Sequence, residues 1–150
     1  MAADSRLSVL ERSSMPAAYF AGLLYFMAVF TLAFALGIAR VLVIAPRLGP
    51  TTAVLLEIPI LVGASWIVAR RLLRNRSLTT PQRAVMGATA FTLTMASEAA
   101  LAVIMRGQSV TGWATAIATL LGLAGLVGQI VFAGMPIFLG RGRADISPTV

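Results

Sequence analysis

A long apolar run restricts what this chain can fold into more than any other feature. From Ala17 to Ala45 only Thr31 and Arg40 interrupt it. The run exceeds the roughly 20 residues that cross a bilayer as a helix. Only 11% of the residues are charged, whereas soluble domains contain about 25%. Because so few polar side chains are available to cover apolar surface in water, we predict an integral membrane protein whose main contact is the lipid bilayer.

Three more apolar segments follow the first, and short turns separate them. Pro46 to Pro50 contains two prolines and a glycine, which end helices and permit a reversal. Thr79 or Thr80, before Pro81, is typical of a helix N-cap. The pattern predicts an all-α, integral membrane four-helix bundle with up-down-up-down topology, and one transmembrane domain covering residues 1–150. The predicted helices lie at about residues 17–45, 51–69, 82–105 and 113–139.

The arginines predict how these spans are oriented. Four spans place both termini and the loop 70–83 on one side of the membrane, with nine arginines, against three on the other side. The positive-inside rule therefore predicts cytoplasmic termini in a bacterial inner membrane. It also explains the net charge of +7 without nucleic acid as a partner. The nine are Arg6, Arg12, Arg70, Arg71, Arg74, Arg76, Arg83, Arg141 and Arg143, and the three are Arg40, Arg47 and Arg106.

Two smaller features concern the membrane boundary. Ala33-Phe34-Ala35 resembles a signal-peptide cleavage site, but the apolar run continues beyond it, so we predict that the first helix is retained. The loop from Arg70 to Arg83 is expected to attract anionic lipid head groups, as clusters of basic residues beside a membrane commonly do.

Three missing residue types exclude much enzyme chemistry. The chain has no histidine, cysteine or lysine. Haem or zinc held by imidazole, disulfides, iron–sulfur clusters and lysine Schiff bases are therefore excluded. We predict that the chain has no catalytic residue, cofactor or metal, and that it is not an enzyme. A membrane enzyme acting on lipid is the weak alternative, since its acid–base chemistry would depend on two carboxylates alone.

Ionisable residues inside the apolar segments mark a candidate site. Arg40 lies eight residues before Leu48, at the centre of the first turn, and Glu57 nine after it. In an antiparallel helical hairpin these positions share one level. Glu98 lies eight residues before Arg106 and reaches a similar depth. Because charges are costly in lipid and mark functional sites by default, the pattern predicts a polar pocket on the periplasmic side.

The fourth helix adds a weaker polar signal. Thr111, Thr115, Thr119, Gly122 and Gln129 share one helical face. Such a face lines pathways in some transporters, but more often it joins helices through hydrogen bonds. The candidate site therefore comprises Arg40, Glu57, Glu98, Arg106, Thr115 and Thr119.

Other stripes on the helices favour packing. Gly122, Gly125 and Gly128 allow close contact between helices, with a dimer interface as the alternative. Phe26, Phe30 and Phe34 are interpreted as lipid or core contacts rather than as a pigment or quinone site.

The sequence leaves two interpretations of the charges open. In the first, Arg40 and Glu57 form an ion pair that only locks two helices together, and Glu98 bends toward Arg106. In the second, Glu57 or Glu98 exchanges a proton or binds a cation. Periodicity alone does not distinguish them.

Several short motifs resemble a known group of proteins. They are G-x-x-R at Gly37–Arg40, P-R-x-G at Pro46–Gly49, E-x-P at Glu57–Pro59, and Glu98 followed by Arg106-Gly107. This pattern resembles a group of short four-span bacterial inner-membrane proteins, over most of the chain from the first helix to the fourth. The resemblance implies the architecture and no activity, substrate or cofactor.

Two functions are therefore expected. The first is a small transporter or binding protein with a periplasm-facing arginine and glutamate site. The second is an accessory or structural membrane subunit that packs against copies of itself or within a larger membrane complex.

Overall fold

The chain folds into helices. The computed structural model describes the backbone of residues 2–139 and the side chains of residues 15–139, and all regular structure there is helical. The predicted all-α fold is confirmed. The helices are α1 (Ala2–Ala39), a π-helical turn (Arg40–Ile44), α2 (Ala45–Leu48), α3 (Pro50–Arg74), α4 (Thr80–Arg106), α5 (Val110–Ile117) and α6 (Leu120–Phe138).

Four helical segments are long and apolar enough to cross a membrane: Met15–Leu48, Pro50–Arg74, Thr80–Arg106 and Leu120–Phe138. Large apolar side chains such as Ile104 and Leu120, 80% and 83% exposed, lie on the outside of the bundle. Contact of such a surface with lipid is favourable, whereas contact with water is costly in free energy. The chain is a four-helix bundle and a multi-pass membrane protein. The side chains of Arg6, Arg12, Arg141 and Arg143 lie outside the described residues.

The first helical segment, formed by α1, the π-helical turn and α2, is longer than the sequence predicts. It begins at Ala2, contains Pro16 and Pro46, and ends at Leu48. Pro46 has no N–H, and its ring would collide with the Leu42 carbonyl in a regular helix. The wider π-helical turn that contains Leu42 relieves this collision. The chain then reverses at Gly49, whose φ of 82° suits glycine and few other residues.

The second connection is shorter than the predicted loop 70–83. Helix α3 continues to Arg74, and only residues 75–79 separate it from α4. Thr79 is the N-cap of α4, as expected, and its N–H donates to Gln82 Oε1 at 2.9 Å. The arginines at positions 70, 71 and 74 therefore extend from the end of a helix rather than from a loop.

The helices are arranged so that α1 and α6 each pack against both α3 and α4. Helices α3 and α4, although consecutive, therefore lie across the diagonal of the bundle. We call the half that ends at the connection 75–79 the packed half; it comprises residues 15–30, 62–93 and 130–139. The other half, which ends at Gly49 and at residues 107–109, is the open half.

Tyr25 lies at the centre of the packed half. Its ring is fully buried and stacks on Phe132, with 4.4 Å between the centroids. Its hydroxyl donates to the Phe132 carbonyl oxygen at 3.0 Å. That carbonyl would normally accept from the residue four positions later, which is Pro136 and has no N–H. Tyr25 therefore supplies the hydrogen bond that Pro136 removes.

Two glycines bring backbones together in the packed half. A Cβ atom on Gly22 would lie 2.7 Å from the Met86 carbonyl oxygen, and one on Gly87 would collide with the Ala133 carbonyl oxygen. Close contact of this kind supplies the van der Waals attraction that holds membrane helices together. In the open half only Ala53 and Ala102 are buried. The two halves therefore differ sharply in packing.

Candidate functional site

A cavity of about 940 Å³ occupies the open half. Most of its wall is apolar, and its deepest part reaches Ser65 and Phe132 at the edge of the packed half. All four long spans contribute polar groups to it. Arg40, Glu57, Glu98 and Gln129 are among them, one from each span.

Arg40 and Glu57 form an ion pair across the cavity wall. Arg40 Nε lies 3.3 Å from Glu57 Oε2, and the side chains are 35% and 14% exposed. Arg40 is the first residue of the π-helical turn, and Glu57 lies seven residues after Pro50, the first residue of α3. The structure thus brings together the two residues that their equal distances from the turn predict to be level. In this pair each charge has a partner.

Glu98 has a different partner from Arg106, the one expected when the charges only lock the helices together. Gln129 Nε2 donates to Glu98 Oε1 at 2.5 Å, which links α4 to α6. Between residues 15 and 139, the Arg40–Glu57 contact is the ion pair that forms, and Glu98 takes part in none. Gln129 Oε1 is buried and accepts no hydrogen bond. This end of the cavity therefore presents two oxygens that accept no hydrogen bond among residues 15–139, Glu98 Oε2 and Gln129 Oε1.

Arg106 lines the mouth of the cavity and is exposed to the surroundings of the bundle. It lies within electrostatic range of Glu98, as does Arg40, but makes no ion pair in the described part of the chain. Helix α4 ends beside it because Gly107 adopts a φ of 62° and Ala102 O accepts from Gln108 N at 3.1 Å. Arg106 therefore stands at the rim, above the other charges.

Thr115 and Thr119 are not brought into the cavity, although the sequence placed them in the candidate site. The Thr115 hydroxyl donates to Gly112 O at 2.9 Å, and that of Thr119 donates to Ala116 O at 2.7 Å. Both residues are exposed. The fourth predicted helix is broken between Ile117 and Leu120, so the polar face that joined these threonines to Gln129 is not continuous.

Local caps explain the break. Ser109 Oγ accepts from Gly112 N at 3.0 Å and starts α5, and Thr119 Oγ1 accepts from Gly122 N at 3.2 Å and starts α6. A Cβ atom on Gly122 would collide with the Ala116 carbonyl oxygen, so only glycine fits there. The repeated pattern of a hydroxyl residue and a glycine three positions later was the available signal for both helix starts.

Glycines and aromatic rings complete the wall. Gly122, Gly125 and Gly128 line the cavity instead of forming an outward face, and a Cβ atom on Gly125 would meet no atom within 4 Å. Phe30 and Phe34 also line it, with 6.5 Å between their centroids. These glycines therefore make room for the cavity.

The chemistry that this site can perform is limited. No group of three potential metal ligands occurs among residues 15–139. The carboxylates and guanidinium groups can bind ions or polar groups, and Glu98 can gain or lose a proton. Gln129 completes the site. The sequence pattern placed it on the polar face of the fourth helix but not among the candidate site residues. No family model matches the chain, and neither a curated protein nor a solved structure with significant similarity was found.

Proposed function

We propose that this chain is a small transporter or binding protein of a bacterial inner membrane, which holds its ligand in the open-half cavity. One observation carries the proposal: four spans each direct a polar side chain into a single apolar cavity of about 940 Å³. Ionisable groups at membrane depth are costly and are kept mainly where they act on a substrate or an ion. A volume of this size is in the range of sites for small molecules.

The distribution of arginines indicates to which side of the membrane this cavity opens. The arginine-rich end of the bundle is the packed half, with Arg70, Arg71, Arg74, Arg76 and Arg83. By the positive-inside rule this end and both termini lie in the cytoplasm. The open half then belongs to the outer leaflet, and its cavity opens to the periplasm.

Anionic lipid head groups are the second proposed partner. A groove of about 580 Å³ beside the connection 75–79 is lined by Arg74, Arg76 and Arg83. Arg83 Nε is buried there without a hydrogen-bond partner, and the Arg76 guanidinium lies 5.4 Å from the centre of the Phe20 ring. Like charges in one groove repel each other, and a lipid phosphate would relieve that repulsion.

Proton flux into proteoliposomes tests transport through the cavity. We expect the wild-type protein to conduct protons, measured with a trapped pH-sensitive dye, because Glu98 is the cavity carboxylate that forms no ion pair with any residue from 15 to 139. Glu98→Gln should lower the flux to that of empty vesicles while the protein keeps its thermal unfolding temperature. Thr115→Val is the matched control, since Thr115 is exposed outside the cavity, and it should conduct like the wild type.

The charge-free variant Arg40→Gln, Glu57→Gln, Glu98→Gln gives the strictest form of this test. Transport through the proposed site predicts no flux above background for it. Normal flux in this variant would discard the proposal that these charges carry the transport.

An accessory or structural role is the second candidate, and the Arg40–Glu57 ion pair favours it. A pair at 3.3 Å that joins α1 to α3 can stabilise the bundle without binding anything. This role predicts that the protein is purified from native membranes as a homo-oligomer or with a specific larger complex. A monomer of unchanged stability in mild detergent would count against it.

A further inference from the structure

At the Glu98 end of the cavity, some acceptor oxygens receive no hydrogen bond. Glu98 accepts one hydrogen bond at Oε1 from Gln129, and no second donor reaches it from residues 15–139. Gln129 Oε1 is buried and unpartnered. An unsatisfied buried acceptor costs about 1–3 kcal/mol. A ligand that brings N–H donors would remove this cost, and one that brings only acceptors would add to it.

The charge at this end points the same way. Arg40 is neutralised by Glu57 in their ion pair. Arg106 is exposed at the rim, eight residues and roughly 12 Å along α4 from Glu98. Inside the cavity, the Glu98 carboxylate is the charge that no ion pair among residues 15–139 neutralises, although Arg106 at the rim lies within electrostatic range of it. A positive group therefore fits beside it better than a neutral or negative one.

The cavity wall suits the rest of such a ligand. Phe30, Phe34 and Trp113 line the cavity together with many aliphatic side chains. Aromatic faces attract cations, and apolar walls accept a hydrocarbon body. A small hydrated metal ion would leave most of this wall without contacts, whereas an organic molecule would cover it.

From these observations we propose that the cavity binds an organic ammonium ion, whose N–H groups donate to Glu98 and to Gln129 Oε1 while its apolar body packs against the aromatic side chains. The proposal rests on the proposed function, because it names the class of ligand for the same cavity. It also assigns Gln129 as a binding residue. In this arrangement Glu98 is the counter-ion of the ammonium group and Arg40 and Glu57 shape the wall.

Three anthracene probes of one shape and different charge test the proposal. They are aminomethylanthracene, which is a cation at neutral pH, the neutral hydroxymethylanthracene, and the anion of anthracene carboxylic acid. Binding to the purified full-length protein in nonionic detergent is followed by energy transfer from tryptophan. Of the two tryptophans, Trp113 lines the cavity. The variant Trp66→Phe therefore leaves Trp113, which lines the cavity, as the energy donor.

We expect the cation to bind at least about tenfold more tightly than the neutral probe, as hydrogen bonds to a charged group imply. In Glu98→Gln this preference should fall to within about twofold, since the glutamine has no charge. Thr115→Val is the matched control, because Thr115 is exposed and lies outside the cavity lining. It should keep the preference of the wild type.

Each other outcome has a definite meaning. Equal affinities of the three probes, competing for one site, would overturn the ammonium assignment and leave ligand binding in the cavity standing. Energy transfer from none of them would overturn the assignment and count against the proposed function as well. If Glu98→Gln fails to fold, the ratio of cation to neutral affinity in the wild type decides the question by itself.

Discussion

The two halves of this bundle show what membrane helices can do with the same apolar composition. In the packed half, backbones touch at Gly22 and Gly87, and Tyr25 fills the centre. In the open half, only two alanines are buried and the helices surround a cavity. Because its helices pack more closely, we expect the packed half to contribute most of the tertiary stability, whereas the open half keeps ionisable side chains accessible. The candidate site therefore lies where packing is weakest.

The largest expected effect comes from adding one methyl group to the packed half. In Gly87→Ala the new Cβ would collide with the Ala133 carbonyl oxygen, so α4 and α6 must move apart. We expect a loss of about 1–3 kcal/mol or more in the free energy of unfolding, measured by titration with a denaturing detergent.

The matched control is the same substitution in the open half. Gly37→Ala and Gly125→Ala place a Cβ where no atom lies within 4 Å, and neither should lower the free energy of unfolding by more than about 0.5 kcal/mol, since alanine also favours a helix over glycine. Equal losses in the two halves would refute the contrast in packing.

The next effect concerns the ion pair in the open half. Arg40→Gln or Glu57→Gln alone should cost about 1–2 kcal/mol, less than the 3–5 kcal/mol of a fully buried pair, because Arg40 is 35% exposed. The double variant should cost less than the sum of the single variants, by about 1 kcal/mol. Strictly additive losses would mean that the two side chains do not interact.

The smallest effect is a single hydrogen bond in the packed half. Tyr25→Phe leaves the Phe132 carbonyl without a donor, because Pro136 cannot provide one. We expect a loss of about 1 kcal/mol in the free energy of unfolding. In a Pro136→Ala background the helix supplies an N–H to that carbonyl, and Tyr25→Phe should then cost less. An unchanged cost in that background would show that the hydroxyl stabilises the protein in another way.

The sequence predicted the fold because its strongest signals are local. Apolar length identifies each span, and the prolines and glycines near Gly49 and Gly107 mark the turns. The proximity of Arg40 and Glu57 was also predictable, since both lie at nearly the same number of residues from the turn that joins their helices. In each of these cases the deciding residues lie close together in the chain.

The partner of Glu98 could not be predicted in the same way. Gln129 lies 31 residues away on another helix, and which faces meet depends on how the helices rotate and cross. The break before Thr119 moved Thr115 and Thr119 out of the expected face. The diagonal placement of α3 and α4 likewise depends on packing between whole helices and is not written in any one segment.

Accessibility of engineered cysteines is the sharpest test of the difference between the packed half and the open half, because the chain has no cysteine of its own. Gly125→Cys places a thiol at the cavity wall, and Ala90→Cys places one at a fully buried position of the packed half. We predict that a water-soluble, membrane-impermeant thiol reagent modifies Gly125→Cys and leaves Ala90→Cys unmodified in intact vesicles. Equal protection of both thiols would mean that the open half encloses no accessible polar site.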